Sequence, residues 1–482
     1  MSHKSTQILT HPILGQLRGR VSSNNQTTQF RNLKYAKIPG RWQDPVLFSQ
    51  KHKTTFDATK FGPSCPQHPA GFEFDLSLVG DVTLEREKEV REVDEFECLN
   101  LVVTTPSGVN PGGRLPVMVC VHGGGFSVGN LSKLVQTSID IKRPVIAVSI
   151  NHRLGPFGFL ASDELGISGN YGLKDQTCSF AWIQQHIHAF GGDPNNITAF
   201  GESAGAICIA NLLHTSPPFP LFQRAIIMSG DATVRRPRDM AWQNNHYLSI
   251  SKHLNLTHLS PAANKEHFLN IPANEFVEAL PIFSHWSPNI DGEFLKEGAA
   301  IGMLRDESDR RDKPDWCKQI LVGDCEHDGS ILEARLMHHP KALERLHTSI
   351  ALSLTDAESE KVLYAYNLYG EPDAKRLYKG LMELGSELRF FLPGVEMRKG
   401  WGRKGFRYHF HQPNPVSGKW KGYASHELDL AYLLGDYNAF LPKGDCRLAK
   451  EMAGFWVGFA YGEGLSGGVR MRCWLLGLGM RL

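Results

Sequence analysis

The sequence predicts an α/β protein in which a large, mostly parallel central sheet is wrapped by helices. Short apolar runs alternate along the chain with segments of helical periodicity, which is typical of this class. Three of the runs are continuous and rich in Val and Ile, as strands buried on both faces should be. These three are LPVMVCV (115–121), PVIAVSI (144–150) and RAIIMSG (224–230), and QILVG (319–323) and FRYHFH (406–411) are predicted as later strands.

The segments between the strands predict helices and one insertion. KDQTCSFAWIQQHIHAF (174–190) has apolar residues at helical spacing, and the GGDP that follows supplies the Gly and Pro that end a helix. The segment 231–317 is rich in His, Asn and Pro and is predicted to be an insertion that covers the top of the sheet. The tail 463–482 fits neither a strand nor a helix pattern. Because one long sheet can organise a whole chain, residues 1–482 are predicted to form a single domain.

Composition and charge exclude several classes of function. The 482 residues carry 52 basic and 50 acidic side chains, a net charge of +2, so nothing favours binding to nucleic acid. No apolar run approaches the roughly 18–20 residues that a membrane span needs. The N-terminus MSHKSTQILTHPILGQL lacks the apolar core of a signal peptide, which predicts a cytoplasmic protein, or a secreted one if the N-terminus is incomplete.

The segment GESAG (201–205) places a serine between two glycines. It follows the predicted strand NNITA (195–199) and precedes the predicted helix ICIANLL (207–213). A sharp strand-to-helix turn lifts a serine hydroxyl above the sheet, and flanking glycines remove side chains that would clash there. Ser203 is therefore predicted to be a nucleophile. The alternative is a serine that only caps the helix.

A second motif, HGGGF (122–126), follows the strand 115–121. Hydrolysis of an ester puts negative charge on the carbonyl oxygen, and preorganised backbone N–H groups stabilise that charge. A run of glycines lets the backbone approach the substrate closely with its amides available. The N–H of Ala204, directly after the serine, supplies another donor. The alternative is a flexible glycine loop without a role in chemistry.

With these motifs in place, the sequence resembles the type-B carboxylesterase and lipase family, which includes cholinesterases, and it is closest in character to fungal carboxylesterases. NHRLGPFGFL (151–160), GNYGLKDQ (169–176), FGGDPNNITAFGESAG (190–205) and PNIDGEFL (288–295) match family segments in family order. The resemblance covers residues 12–460 and implies the α/β-hydrolase fold. It implies a serine carboxylic-ester hydrolase that needs no cofactor and no metal, with an oxyanion hole formed by the amides of Gly124, Gly125 and Ala204.

The family order of nucleophile, acid and base suggests the partners of Ser203. QILVGDCEHDGS places Asp328 where many relatives carry Glu before Gly, and Asp324 and Glu326 are the alternatives for the acid. His426 in ASHELDLAYLLG matches the family segment in which the base lies nine residues before a glycine, here Gly435. Four other histidines considered for the base lack such a context: His338, His339, His409 and His411. Glu202, beside the nucleophile, is expected to tune its surroundings.

The resemblance also bears on the substrate. Cys65 and Cys98 match a family disulfide that closes a loop over the gorge, and in an intracellular protein this bond can stay open. The enclosed loop 66–97 holds 13 charged residues and no Trp, which favours small to medium soluble esters over lipid surfaces and argues against choline esters. Two alternatives stay open: a lipase acting on insoluble glycerides, and a catalytically inactive adhesion or binding relative of the family. The sequence predicts a small-molecule ester as the partner and leaves the oligomeric state undetermined.

Overall fold

A computed structural model describes residues 5–82, 92–124, 131–282, 284–463 and 473–475. The strands are β1 Thr6–His11, β2 Gly15–Val21, β3 Thr27–Lys34, β4 Ala36–Lys37, β5 Val46–Leu47, β6 Phe56–Ala58, β7 Asn100–Pro106, β8 Leu115–Val121, β9 Ile146–Ile150, β10 Gly192–Glu202, β11 Arg224–Met228, β12 Gln319–Cys325, β13 Gly405–Phe410 and β14 Cys473–Leu475.

The helices lie between and around these strands. They are α1 Gly71–Val79, α2 Ser132–Asp140, α3 Gly155–Phe159, α4 Tyr171–His186, α5 Ala204–Leu213, α6 Met240–His253, α7 Pro261–Asn270, α8 Ala273–Glu278, α9 Ile301–Arg305, α10 Ala342–Ala351, α11 Asp356–Ala365, α12 Ala374–Ser386, α13 Leu392–Gly400, α14 Leu428–Leu434 and α15 Lys443–Ala460. Short 3₁₀ turns cover Ile187–Phe190, Asp328–Leu332 and Gly402–Lys404, and π-helical turns cover Glu333–Met337 and Glu387–Phe391.

Twelve of the strands within the described residues form one large sheet in the order β1-β2-β3-β7-β9-β8-β10-β11-β12-β13-β14, with β6 beside β2, and β4 and β5 form a separate antiparallel pair. Strands β9, β8, β10, β11, β12 and β13 run parallel to one another, and the β1, β2, β3, β7 side joins this block through the antiparallel pairing of β7 with β9. The predicted fold class, a mostly parallel sheet flanked by helices, is confirmed. All six predicted strands, including NNITA (195–199) in β10, are members of this parallel block.

Successive side chains of the central strands point to opposite faces of the sheet, and they divide the core into two layers. In β8, Val117, Val119 and Val121 join one hydrophobic cluster, while Met118 and Cys120 join a second cluster. Successive side chains of a strand point to opposite faces, so a run that is apolar throughout is buried by helices on both sides. This explains why the central strands are continuous apolar sequences.

Some element boundaries differ from the sequence prediction because tertiary contacts set them. Helix α4 begins at Tyr171, before the predicted start at residue 174, since Asn170 adopts a left-handed backbone (φ 63°) and donates to the carbonyl of Asn289 at 2.8 Å. After His186 the helix tightens into a 3₁₀ turn, which ends at Gly191 with φ 88°. The hydrogen bond from Asn170 to Asn289 joins residues more than a hundred positions apart, and sequence periodicity cannot detect such a contact.

Two segments rich in helices connect neighbouring strands of the parallel block. Helices α6 to α9 lie in the predicted insertion, between β11 and β12. Helices α10 to α13 form a second excursion, between β12 and β13, which the sequence analysis did not single out. In the tail, β14 pairs antiparallel with β13, a strand that the local sequence pattern did not indicate; the tail residues 464–472 and 476–482 lie outside the described residues. No helix in the described ranges combines the length and the apolar character required to cross a membrane.

Candidate active site

Ser203 occupies the turn between β10 and α5. The strand ends at Glu202 and the helix begins at Ala204, so Ser203 is the whole connection. Its backbone has φ 52° and ψ −119°, a conformation that costs an L-residue free energy and that persists only where the surroundings enforce it. Its N–H donates to the carbonyl of Met228 on the adjacent strand at 2.9 Å. The strained turn and this bond hold the side chain above the carboxyl ends of the parallel strands.

Two glycines allow the segments around Ser203 to approach each other. A Cβ at Gly205 would lie 2.0 Å from the carbonyl oxygen of Val121 at the end of β8. A Cβ at Gly123 would lie 2.4 Å from the carbonyl oxygen of Glu202. Neither separation is sterically possible, so only glycine fits at these two positions. The glycine motif after β8 and the serine motif after β10 are therefore packed backbone to backbone.

Ser203, His426 and Asp328, which the sequence analysis selected, form one hydrogen-bonded chain. The Oγ of Ser203 lies 2.9 Å from Nε2 of His426, and Nδ1 of His426 lies 2.7 Å from Oδ1 of Asp328. Because a carboxylate only accepts, Nδ1 carries the proton and Nε2 accepts from the serine hydroxyl. This is the tautomer that a general base needs.

Further hydrogen bonds restrain Asp328 and His426 through atoms that take no part in the chain from Ser203. Oδ2 of Asp328 accepts the N–H of Cys325 at 2.8 Å, and the N–H of His426 donates to Oγ of Ser330 at 2.9 Å. Burial raises the pKa of Asp328, while His426 and the Cys325 amide act in the opposite sense. The side chains of Asp328 and His426 therefore have little rotational freedom relative to Ser203.

The alternative acids are engaged elsewhere. Asp324 pairs with Arg407 at 2.5 Å and lies 2.6 Å from Nδ1 of His409. Glu326 is half exposed and lies 3.4 Å from Nδ1 of His411. Neither carboxylate has a recorded contact with His426, so Asp328 is the candidate among the three that the structure brings to the imidazole.

Two of the three residues expected to donate backbone N–H groups to the oxyanion, Gly124 and Ala204, are among the described residues. Gly124 and Ala204 both line the cavity that contains Ser203, and a Cβ at Gly123 would lie 3.3 Å from the Ala204 nitrogen. The close contact at Gly123 brings the two expected donor segments together. Gly125 lies outside the described residues, so its part in the site stays a prediction.

Glu202 is a buried carboxyl group beside the imidazole. Its Oε1 lies 3.2 Å from Nε2 of His426, without hydrogen-bond geometry. Burial raises the pKa of Glu202 well above its ordinary value, and the nearby carboxyls of Glu427, Asp429 and Asp328 add to the shift. The neutral form of Glu202 is consequently favoured to a higher pH than in an ordinary glutamate.

The hydrogen-bonded chain opens into a cavity of about 490 Å³. Helix α1, the turn after β9, residues 281–282 and 284–288 and the two π-helical turns contribute to its walls. Apolar side chains form much of the surface, among them Phe74, Leu154, Phe159, Ile207, Leu280 and Phe390. A volume of this size accommodates a small organic molecule.

Cys65 and Cys98 lie in contact, and both are buried free thiols in the structure. A hydrogen bond to Cys65, followed by burial, raises the pKa of Cys98 well above its ordinary value. Closure of the disulfide that the family resemblance implies stays a prediction.

Several residues of the site were not identified from the sequence. Ser330 and the Cys325 amide position the acid and the base, and their role depends on a turn whose geometry the sequence does not reveal. Asp75 and Glu427 line the cavity, and three arginines, Arg235, Arg335 and Arg389, line it as well. These residues come from distant parts of the chain, and no local pattern links them.

Comparison with known proteins adds an independent line of support. The carboxylesterase family model matches residues 4–466. Lipase 3 of Yarrowia lipolytica is 28% identical over 463 residues, covering 92% of this chain and 86% of the relative. Esterase cest-33 of Caenorhabditis elegans is 32% identical over 480 residues, covering 91% and 82%. A solved structure of a PNB esterase superposes with a TM-score of 0.73 at 26% identity, over 95% of this chain and 91% of that one.

The family match extends over nearly the whole chain, and the structural similarity covers the sheet together with its helical excursions. The fold and the order of the motifs agree with the resemblance inferred from the sequence. The chain therefore belongs to the carboxylesterase family and is a type-B ester hydrolase with the α/β-hydrolase fold.

Proposed function

We propose that the protein hydrolyses small to medium carboxylic esters through a Ser203-His426-Asp328 triad. The observation that carries this proposal is the continuous hydrogen-bonded chain from the Ser203 hydroxyl to the Asp328 carboxylate, at 2.9 Å and 2.7 Å, in a cavity of about 490 Å³. Serine is a weak nucleophile unless a neighbouring base removes its proton. The arrangement supplies that base with its tautomer already set.

In the proposed reaction, His426 accepts the Ser203 proton while Oγ attacks the ester carbonyl carbon. The amides of Gly124, Gly125 and Ala204 stabilise the oxyanion of the tetrahedral intermediate. The protonated His426 then gives its proton to the leaving alcohol, which departs and leaves an acyl-serine. Water loses a proton to His426, attacks the acyl carbon and releases the acid. Asp328 stabilises the imidazolium in both halves of the reaction.

A lipase acting on insoluble glycerides is the second candidate. Two observations favour it: the relative Lipase 3 of Yarrowia lipolytica, and the apolar side chains that line the cavity. The loop 66–97, with its 13 charged residues, favours the soluble substrates instead. Activity on emulsified tributyrin that rises sharply above its solubility limit would favour the lipase.

The test is hydrolysis of a chain-length series of p-nitrophenyl esters by the native protein and by Ser203→Ala. We expect turnover of the acetate and butyrate esters, and a loss of kcat up to about 10⁶-fold in the variant. Ser353→Ala, which removes an exposed serine hydroxyl outside the cavity, is the matched control and should retain activity. A folded native protein that neither hydrolyses these esters nor reacts with an organophosphonate probe would refute the proposal and favour a binding role.

A further inference from the structure

Three arginine side chains line the cavity that contains Ser203. Arg235 follows β11, Arg335 lies in the π-helical turn after Asp328, and Arg389 lies in the π-helical turn after α12. Arg235 and Arg335 are half-buried, and Arg389 is exposed. Single π-helical turns are rare and occur frequently at functional sites. Three segments that are far apart in sequence thus deliver guanidinium groups to one wall.

Arg235 and Arg389 each donate a hydrogen bond that restrains the side chain but does not neutralise its positive charge. Arg235 Nη1 donates to the carbonyl of Trp286 at 3.3 Å, and Arg389 Nη2 donates to the carbonyl of Val234. Both acceptors are uncharged backbone groups. Among the ion pairs of the described residues, none joins Arg235 or Arg389 to a carboxylate. A guanidinium has further N–H donors in a planar fork, which can bind a carboxylate through two bonds.

The three guanidinium groups are close enough to act on one another electrostatically. Burial lowers the pKa of Arg235 to about 9, and the charges of Arg335 and Arg389 add to the shift. Burial and the neighbouring arginines also lower the pKa of His285 to about 3, so this imidazole stays neutral beside them. All three arginines are still charged at neutral pH. Concentrated like charges in a partly buried wall favour binding of an anion.

Among the described residues that line the cavity, two carry a carboxyl group, against the three arginines. Asp75 and Glu427 line it, and burial together with the charges of Asp75 and Asp429 raises the pKa of Glu427 well above its ordinary value. The shift favours the neutral form of Glu427 to a higher pH than in an ordinary glutamate. Burial lowers the pKa of Arg389, and the charge of Asp231, which is not among the described lining residues, opposes that shift. Among the described lining residues, the arginines therefore outnumber the acidic side chains.

We propose that Arg235, Arg335 and Arg389 form a subsite for an anionic group of the substrate, so that the preferred esters carry a carboxylate at the end away from the reacting carbonyl. The inference rests on the proposed function, because it concerns the substrate of the same serine. It assigns a role in substrate selection to residues that the triad does not use.

Two of the arginines are close in sequence to residues that lie beside the triad. Phe390, next to Arg389, has its ring centroid 5.5 Å from that of His426. Arg335 follows Ile331 and Leu332, which line the cavity directly after Asp328. Ser203, His426 and the three arginines line the same cavity.

The test compares two matched pairs of anionic and neutral esters in a pH-stat assay. Monomethyl adipate and methyl hexanoate have acyl chains of equal length and differ in a terminal carboxylate against a methyl group. Butyryloxyacetate against ethyl butyrate places the same difference in the alcohol part. We expect kcat/KM to favour the anionic member of at least one pair by about 10-fold or more, since a hydrogen bond to a charged group contributes on this scale.

Variants then locate the preference. In Arg235→Gln and Arg389→Gln, the ratio of kcat/KM for the anionic ester to that for its neutral partner should fall about 10-fold, chiefly through KM. Arg345→Gln removes an exposed arginine of α10 outside the cavity and should leave the ratio unchanged. A native ratio at or below 1 for both pairs, with both neutral esters hydrolysed, overturns the inference and leaves the proposed function intact.

A binding measurement separates the two proposals. Calorimetric titration of monomethyl adipate into Ser203→Ala should show binding that weakens at least several-fold when Arg389→Gln is added, whether or not the native protein turns the ester over. Equal binding of monomethyl adipate to both proteins, or no binding to either, overturns the subsite. Failure of the proposed function itself gives a different result: the native protein then hydrolyses neither neutral ester.

Discussion

Oδ1 of Asp328 lies 2.7 Å from Nδ1 of His426, and both side chains are fully buried. The bond joins residues 98 positions apart, and a second oxygen of the same carboxylate accepts the Cys325 amide. The imidazole thus has one tautomer and one orientation toward Ser203. This relationship makes Asp328 the first side chain to test after the serine.

Asp328→Asn should preserve the fold and remove the activity. An amide at this position donates to Nδ1 instead of accepting, so it favours the wrong tautomer of His426, and kcat for a p-nitrophenyl ester should fall by about 10³–10⁴. Glu326→Gln is the control, because Glu326 is the alternative acid and is half exposed. A larger loss of kcat in Glu326→Gln than in Asp328→Asn would transfer the role to Glu326.

Gly205→Ala should destabilise the protein strongly. Its Cβ would lie 2.0 Å from the Val121 carbonyl oxygen, so β8 and α5 would have to separate. We expect the free energy of unfolding to fall by roughly 3 kcal/mol or more in urea titrations. Gly444→Ala, at a position in α15 with no heavy atom within 4 Å, should instead stabilise by about 0.5–1 kcal/mol. Equal stability of the two variants would contradict the close approach at Gly205.

His11 should make stability depend on pH below neutrality. Its Nδ1 accepts the amides of Ile13 and Leu14, each at 3.1 Å, and burial with His188 nearby lowers its pKa to about 4. Between pH 6.5 and 4 the unfolded chain binds this proton and the folded protein does not. The free energy of unfolding should therefore decrease as pH falls through this window, by about 3 kcal/mol for this group.

The contribution of His11 is isolated by His11→Asn, whose amide oxygen can still accept the two backbone amides. Urea unfolding at pH 4.5, 5.5 and 7 should show a weaker pH dependence in this variant than in the native protein. Buried carboxyls with raised pKa, such as Asp429 at about 6, act in the opposite direction, but they contribute equally to both proteins. His347→Asn, at an exposed position, should leave the slope unchanged. An unchanged slope in His11→Asn would show that the ring does not titrate as argued.

The thiols of Cys65 and Cys98 should oxidise slowly in the folded protein. Thiol–disulfide exchange requires a thiolate, and the raised pKa of Cys98 disfavours it. Oxidative refolding should close the bond and raise the free energy of unfolding by up to about 3–4 kcal/mol, because it restrains the loop 66–97 in the unfolded chain. Intact-protein mass spectrometry after alkylation reports the bond, and Cys98→Ser is the control. Rapid closure in the native protein would contradict the role of burial.

Local patterns predicted much of the fold and part of the site. The strands of the parallel block were recognisable because burial on both faces requires uninterrupted apolar sequence. Ser203 was recognisable because the strained turn restricts which residues can flank it. His426 and Asp328 could be selected only through the family resemblance, since 21 histidines and 50 acidic residues offer no local criterion for pairing.

The sequence by itself determined the fold class, the strand-to-helix turn that carries Ser203 and the position of the glycine motif after β8. These features depend on alternation, on backbone strain and on the absence of a Cβ, all of which are properties of neighbouring residues. Only the tertiary structure decided that Asp328 rather than Asp324 contacts His426, and that Ser330 accepts a hydrogen bond from the backbone N–H of His426. It also decided that three arginines line the same cavity: Arg235, Arg335 and Arg389. Those relationships depend on packing between segments that are distant along the chain, where small shifts of a turn decide which side chains meet.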